Sequence, residues 1–188
     1  MKHNNWLMLL LCALTGAIAV ALQSMSLSVL LPEISIEFKI TVTQAGLLWG
    51  IAALPSILSS LLVGNLIDRF GTKRITIIGC VMLGLLGAAR GLSPNFFGLL
   101  ATTLVFGLFM PFITISNMKN VRNTFGSVEL SKANGVISLG MALGFFAGAM
   151  ISASLVAPWI SGWRNSFFLY GFLSFALIFP WLFIPTTG

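Results

Sequence analysis

The chain alternates between long runs of apolar residues and short polar connections. Six runs are long enough to cross a membrane, since a hydrocarbon core about 30 Å thick needs about 20 helical residues. Within each run the apolar positions are continuous and do not alternate with polar ones, which indicates helices and not the strands of a barrel. The pattern predicts an all-α membrane protein with six transmembrane helices at 6–31, 43–65, 75–93, 96–118, 133–157 and 165–185.

Composition agrees with a membrane protein. Hydrophobic residues make up 57% of the 188 residues, charged residues only 7%, and the mean hydropathy is +1.02. A soluble domain carries about 25% charged residues, so this chain has too few polar side chains to cover its apolar ones in water. The short connections predict one six-helix bundle over residues 1–188, with lipid covering its outside.

The first apolar run also has features of a cleavable signal peptide. Lys2 precedes the run from Trp6 to Ala21, whose second half contains the small residues Ala17 and Ala19. Apolar residues continue to Leu31, however, which is longer than the apolar region of a signal peptide. We therefore interpret this run as the first membrane helix.

Basic residues in the short connections predict the orientation, because cytoplasmic loops carry an excess of Lys and Arg. If the N-terminus is cytoplasmic, three basic residues lie outside: Lys39, Arg90 and Arg164. Seven lie inside: Lys2, Arg69, Lys73, Arg74, Lys119, Arg122 and Lys132. We expect a multi-pass protein of the plasma or inner membrane with both termini in the cytoplasm.

Residues that carry catalytic chemistry are sparse. Cys12 and Cys80 lie within apolar runs, where cysteine packs as a small apolar residue. The single histidine, His3, lies near the N-terminus, so the sequence offers no Ser/His or Cys/His pair and no metal-ligand spacing. We expect no enzyme activity, no metal and no cofactor. The ten basic residues occur in small groups and not in a long stripe, so nucleic acid is not an expected partner.

The connection between the second and third runs contains the most specific motif. It reads Gly64-Asn65-Leu66-Ile67-Asp68-Arg69-Phe70-Gly71-Thr72-Lys73-Arg74. This stretch resembles the motif of the major facilitator superfamily of transporters, in which a glycine is followed at fixed spacing by Leu, Asp-Arg, Gly and a basic pair. Thr72 departs from the family pattern, which usually has a basic residue there. Gly64 and Gly71 would permit close helix approach and a tight turn, and Asp68 would pair with nearby cations.

The resemblance implies a role for this connection. In the family it latches the cytoplasmic side through contacts that form in one conformation and break in the other. Carried over by position, the expected latch residues are Gly64, Asp68, Arg69, Gly71, Lys73 and Arg74. Two weaker stretches also resemble the family: Leu31-Pro32-Glu33-Ile34, which we expect to close the first helix, and Gly162-Trp163-Arg164 with Phe167, which we expect to begin the sixth.

The resemblance covers essentially the whole chain and implies both a fold and a function. The fold is the N-terminal six-helix half of such a transporter, with 3+3 inverted repeats, and its partner would be a complementary C-terminal six-helix half. The function is secondary active transport of a small organic or anionic solute by alternating access. A different class stays open, namely a non-transporting membrane interaction protein or a self-associating remnant of half a transporter.

Three departures from the family argue against proton-driven drug export. Many such exporters carry an acidic residue nine positions before the first-helix proline, where this chain has Gln23. Proton-coupled branches usually have an arginine where Thr103 precedes Gly107 by four residues, and Phe145 replaces a proline of the antiporter pattern. The fifth run also has glycines at every fourth position, which we interpret as a helix-packing surface: Gly140, Gly144 and Gly148.

In the family the first, second, fourth and fifth helices face the central cavity, where substrates bind near the midplane. The polar candidates there are Gln23, Ser24, Ser26, Thr102, Thr103 and Ser138. Hydroxyl groups in membrane helices most often bond their own backbone or a neighbouring helix, so none of these candidates is decisive. Arg90 is the only charged residue near the interior of a run, and it is also a cavity candidate. Because a loop-like sequence follows it, we expect its side chain to extend to the membrane interface.

Overall fold

A computed structural model describes residues 2–152 and 162–184, with side chains from Asn5 onward. In these ranges six helices are long and apolar enough to cross a membrane, which confirms the six-helix prediction. They are α1 Asn5–Phe38, α2 Val42–Phe70, α3 Thr72–Gly91, α4 Phe96–Thr124, α5 Ser127–Ile151 and α6 Trp163–Phe183. The predicted end of the fifth run, 153–157, and the last residue of the sixth lie outside the described residues.

The first helix is longer than predicted. We expected the stretch around Pro32 to close it, but α1 continues through Pro32 to Phe38 and ends where Lys39 adopts a left-handed conformation, with φ 52° and ψ 43°. One proline removes one backbone donor and does not always end a helix. The prediction that this stretch closes the helix is therefore wrong.

The connection between α4 and α5 is shorter than predicted. We expected α4 to end at residue 118 and α5 to begin at 133, whereas α4 reaches Thr124 and α5 starts at Ser127. The additional turns are polar, so hydropathy ended both helices too early. Backbone hydrogen bonding continues beyond the apolar stretch because water also permits a helix.

Two helices are interrupted near a proline. The stretch Val42–Gly50 of α2 is separated by a turn from Ala53–Phe70, and the stretch Trp163–Ala176 of α6 is separated from Ile178–Phe183. A proline ring clashes with the carbonyl group four residues earlier. Pro55 and Pro180 place that clash at Ile51 and Ala176, which is where the two helices break.

Helices α1 and α5 pack closely against each other along the glycine row of α5. A Cβ atom added at Gly144 would lie 2.4 Å from the Ala17 carbonyl oxygen, and one at Gly140 would lie 2.9 Å from that of Ala13. Gly148 approaches the Leu22 carbonyl oxygen in the same way, at 2.8 Å. The interpretation of the glycine row as a packing surface is confirmed. Two of these contacts, at Ala17 and Leu22, are made by Gly16–Leu22, a π-helical segment of α1.

The six helices are unequally buried. In α1 67% of the most apolar stretch is buried within the bundle, and in α3, α4 and α6 the share is 39%. The corresponding shares are only 17% in α2 and 11% in α5. Large apolar side chains are therefore exposed along α2 and α5, including Leu58, Leu61 and Leu62 of α2 and Phe146 of α5. These two helices form the least covered part of the bundle.

Candidate functional site

A cavity of about 380 Å³ lies among the helices that were expected to line one. Its walls come mainly from α1, α2 and α4, with Phe145 from α5 and Arg90 from α3. The apolar walls include Leu27, Phe106 and Met110. The polar groups are contributed by Ser24, Ser28, Trp49, Ser56, Arg90 and Thr103. The cavity volume suits a small organic molecule, since ligand sites span about 300–1,000 Å³.

Arg90 is the charged group of this cavity. The residue is 1% exposed, and its Nε and Nη1 atoms have no hydrogen-bond partner. Its guanidinium carbon lies 3.8 Å from the centroid of the Phe106 ring and 5.9 Å from that of Phe167. The expectation that this side chain extends to the interface is wrong. Helix α3 continues through Gly91, so Arg90 still lies on a helix and packs inside the bundle.

Thr103 and Thr102 lie side by side in the sequence but in different surroundings. Thr103 is 1% exposed, lines the cavity, and leaves its hydroxyl oxygen without a partner. The Thr102 hydroxyl donates to the carbonyl oxygens of Gly98 and Leu99, each at 3.0 Å. Of the two α4 candidates, Thr103 therefore belongs to the cavity lining, and Thr102 satisfies its own helix backbone.

Two predicted cavity residues of α1 instead face neighbouring helices. The Gln23 Nε2 atom donates to the Ser174 hydroxyl of α6 at 2.7 Å, and its Oε1 atom lies against Gly87 of α3. Ser26 donates to the Leu22 carbonyl oxygen at 2.6 Å and lies 2.8 Å from the Ser152 hydroxyl. Neither residue lines the cavity. The reason is helical geometry, because Ser24 and Ser28 occupy the face of α1 that does line it.

Ser138 lines a different groove. Its volume is about 460 Å³, and it lies between α4 and α5 toward their connection. Asn117 and Asn134 also line this groove and were not among the residues predicted from the sequence. The Asn117 Nδ2 atom donates to the Cys12 carbonyl oxygen at 2.8 Å, while its Oδ1 atom is buried without a partner. A polar side chain within a long apolar run was the available signal for Asn117.

The motif residues cluster at one end of the bundle, which we call the motif end. Gly71 makes the turn between α2 and α3 with φ 83°, as expected of a glycine there. Asp68 of α2 forms an ion pair with Lys119 of α4, a partner that the sequence analysis did not identify. Lys73 donates to the carbonyl oxygens of Leu182 at 3.1 Å and Ile184 at 2.8 Å, at the end of α6.

The remaining motif residues make fewer contacts. The Arg69 guanidinium carbon lies 5.6 Å from the centroid of the neighbouring Phe70 ring, and Arg74 is exposed. A Cβ atom added at Gly64 would meet nothing within 4 Å. The expected close helix approach at Gly64 is therefore not made among the described residues. Gly64 instead borders a groove with Lys119 and Arg122.

The opposite end is held by a set of interactions around Glu37, which we call the clasp. One Glu37 oxygen accepts from Arg164 Nη2 and the other from Trp163 Nε1, both at 2.6 Å. Arg164 Nη1 also donates to the carbonyl oxygens of Gly91 at 3.1 Å and Ser93 at 2.6 Å. The clasp thus joins the end of α1, the start of α6 and the connection between α3 and α4. Trp163 and Arg164 were expected at the start of α6, whereas Glu37 was not predicted to take part.

The fold and site define a polytopic membrane protein whose helices line a cavity that contains a buried cation. Comparison with known sequences is consistent with this architecture. The sequence model of the Major Facilitator Superfamily matches residues 12–188. The chain belongs to this superfamily.

Curated relatives are transport proteins of bacteria. The chain is 27% identical over 143 residues to a probable 4-methylmuconolactone transporter of Cupriavidus pinatubonensis, a match covering 74% of this chain and 33% of the relative. It is 26% identical to a cis,cis-muconate transport protein of Acinetobacter baylyi, covering 88% of this chain and 40% of the relative. A Bacillus subtilis hexuronate transporter is 27% identical, covering 77% and 34%.

A solved structure has the same fold. It is a bacterial homologue of the human lysosomal transporter Spinster, with a TM-score of 0.83 and 18% sequence identity. The match covers 100% of this chain and 45% of the solved chain. The chain thus spans less than half the length of the solved protein, and 33–40% of the three curated relatives is matched. The match to the family model and the likeness to the solved structure support the assignment of this chain as the N-terminal half of a major facilitator protein.

Proposed function

We propose that the chain supplies the N-terminal bundle of a secondary transporter that moves a small organic solute, including organic anions, by alternating access. The observation that carries this proposal is the cavity between α1, α2, α4 and α5, which contains polar groups in an otherwise apolar bundle. In a membrane protein that serves only as an anchor or a packing partner, unpartnered polar groups around a cavity would cost stability without a functional gain.

The uneven burial of the helices supports a complementary partner. Helices α2 and α5 flank the cavity and are the least buried of the six. In alternating access, two bundles move against each other around a site at their interface. A C-terminal six-helix half is therefore the proposed partner, and it would complete the cavity wall that this chain leaves open.

The names of the relatives support small organic solutes. Muconate and hexuronate are organic acids, and the relatives named for them match most of this chain. Other relatives are named for drug export, such as a tetracenomycin C resistance and export protein of Streptomyces glaucescens. The apolar cavity with a single buried cation favours the organic acids over neutral or cationic drugs.

Reconstitution into proteoliposomes tests the proposal. Saturable uptake of a panel of organic acids, sugars and amphiphiles is expected when the chain is combined with a complementary C-terminal half, and no uptake is expected from the chain alone. Saturable uptake by the chain alone would favour a self-associating half, which is the alternative from the sequence. Absence of uptake in both preparations, with insertion verified, would favour a non-transporting interaction protein.

The proposed orientation places the motif end and both termini in the cytoplasm of the bacterial cell, because seven of ten basic residues would then lie inside. Reporter fusions after residues 39, 72 and 188 should report the outside, the inside and the inside, respectively. An outside signal at residue 188 would contradict this topology.

A further inference from the structure

We propose that Arg90 and Thr103 form the binding subsite for the carboxylate of an organic monoanion whose body is apolar. The inference rests on the proposed function and names the chemical class of its solute. Both residues are 1% exposed, both line the same cavity, and both have polar atoms without a partner. Such buried, unpartnered donors mark the place where a ligand supplies the missing acceptors.

No carboxylate among the described residues compensates the charge of Arg90. The chain has four acidic residues. Glu37 is held in the clasp, and Asp68 pairs with Lys119. Glu33 and Glu129 have exposed side chains. A buried cation without a counter-ion is costly, so an anion that enters the cavity gains the full attraction of Arg90.

The Phe106 ring offsets part of that cost and also positions the cation. The guanidinium lies 3.8 Å from the ring centroid, within the range of a cation–π interaction. The ring is a poor substitute for an anion, because it accepts no hydrogen bond from Nε or Nη1. Arg90 therefore remains buried and charged without a solute, and its N–H groups remain available to carboxylate oxygens.

Thr103 adds directional specificity. A threonine hydroxyl can donate one hydrogen bond, and the Thr103 hydroxyl oxygen has no partner, unlike that of Thr102. A carboxylate has enough acceptor sites for both Arg90 and Thr103. An amide or ester of the same shape lacks the negative charge, so the pair should discriminate against both.

The rest of the cavity determines the body of the solute. Phe106, Met110, Phe145 and Leu27 provide apolar walls. The indole N–H group of Trp49 already donates to Ser28, so the ring presents mainly an apolar surface. Arg90 is the only charged residue among the lining residues. One carboxylate on an apolar body matches this lining, whereas a second carboxylate would find no cation within it.

Binding of radiolabelled benzoate to the chain in lipid nanodiscs tests the subsite. Saturable binding is expected, with competition by unlabelled benzoate and not by benzamide at the same concentration. Arg90→Gln should weaken binding about tenfold or more, because it removes the charge-assisted hydrogen bonds to the carboxylate. Arg90→Lys should retain part of the affinity, because it keeps the charge and loses the planar guanidinium.

Matched substitutions control for folding and for general charge. Thr103→Val should weaken benzoate binding several-fold, whereas Thr102→Val changes the same residue type one position away and should leave it unchanged. Lys39→Gln removes an exposed cation at the same end of the bundle and should also leave binding unchanged. If Arg90→Gln fails to fold, the variants Thr103→Val and Arg90→Lys still test the subsite.

Several results would overturn the subsite. These are equal competition by benzamide, absence of saturable benzoate binding, and equal effects of Thr103→Val and Thr102→Val. Failure of the subsite and failure of the transport function are distinguishable. Uptake of a solute by the assembled transporter that does not depend on Arg90 would reject the subsite and keep the function. Benzoate binding that depends on Arg90, without uptake of any solute, would keep the subsite and reject the function.

Discussion

The two ends of the bundle are both held by charged groups, but they are built differently. At the clasp, Arg164 makes three hydrogen bonds, and its guanidinium carbon lies 4.5 Å from the centroid of the Trp163 ring. At the motif end, Asp68 and Lys119 form one ion pair, and the Asp68 side chain is 69% exposed. The clasp therefore combines several interactions on one cation, whereas the contact between α2 and α4 at the motif end is a single ion pair whose carboxylate is exposed.

The helices that each end joins explain the difference. The clasp links α1 and α6 to the connection between α3 and α4, and α6 contributes no residue to the cavity lining. The Asp68–Lys119 pair links α2 to α4, which both line the cavity. A contact that must break during transport is better built from one exposed pair, because solvated ion pairs contribute little to stability. We therefore propose that the clasp is lasting and that the Asp68–Lys119 pair is a reversible latch.

Breaking the clasp should have the largest effect on stability. Arg164→Gln removes a charged group that binds Glu37 and two backbone carbonyl oxygens, so we expect a loss of about 2 kcal/mol. The apparent Tm of the purified chain should fall by about 4–8 °C. A thiol-reactive dye can measure this, because Cys12 and Cys80 are both buried and react only on unfolding. Arg122→Gln, an exposed arginine at the other end, serves as the control.

Trimming the clasp should have a smaller effect. Trp163→Phe removes the N–H donor to Glu37 but retains an aromatic ring against Phe38 and Phe167. The expected loss is about 1 kcal/mol, about half that of Arg164→Gln, in the same thermal assay. If Trp163→Phe proves as damaging as Arg164→Gln, the indole and not the guanidinium holds the clasp together.

The number and type of the elements could be predicted from the sequence, because the ability of a helix to span lipid depends on its length and composition alone. The sequence also located Gly71 correctly, since the motif requires a turn there. Helix ends were harder to predict. Helix α4 continues through polar turns to Thr124, and α1 continues through Pro32. Both extensions depend on backbone hydrogen bonding, which hydropathy does not describe.

The cavity was only partly predictable. The family resemblance indicated which helices face it, and Thr103 and Arg90 were among the candidates that line it. It did not indicate the rotation of α1, which directs Gln23 to α6 and Ser24 to the cavity. Nor could the sequence show that Arg90 packs inward over Phe106, because that depends on how α3 and α4 pack. The partners Lys119 and Glu37 lie 51 and 127 positions from Asp68 and Arg164, respectively, beyond the reach of local patterns.

Removing the latch should have the smallest effect on stability and a clear effect on transport. Asp68→Asn removes one ion pair between exposed groups, so we expect a loss of at most about 1 kcal/mol of stability. In a transporter assembled with a C-terminal half, turnover should fall more than solute affinity, because the pair biases the equilibrium between two conformations. Lys119→Met should reproduce the effect, and Glu129→Gln, an exposed acid at the same end, should not.

The exchange of both charges, Asp68→Lys with Lys119→Asp, distinguishes a latch from a topology signal. Recovery of turnover in the exchanged pair would mean that attraction between α2 and α4 is what matters. Loss in both single variants without recovery would mean that the motif needs its own charges for orientation or for contacts with the other half. Unchanged turnover in Asp68→Asn at normal expression would mean that the pair is not a latch. The two ends would then differ only in how strongly they hold the helices together.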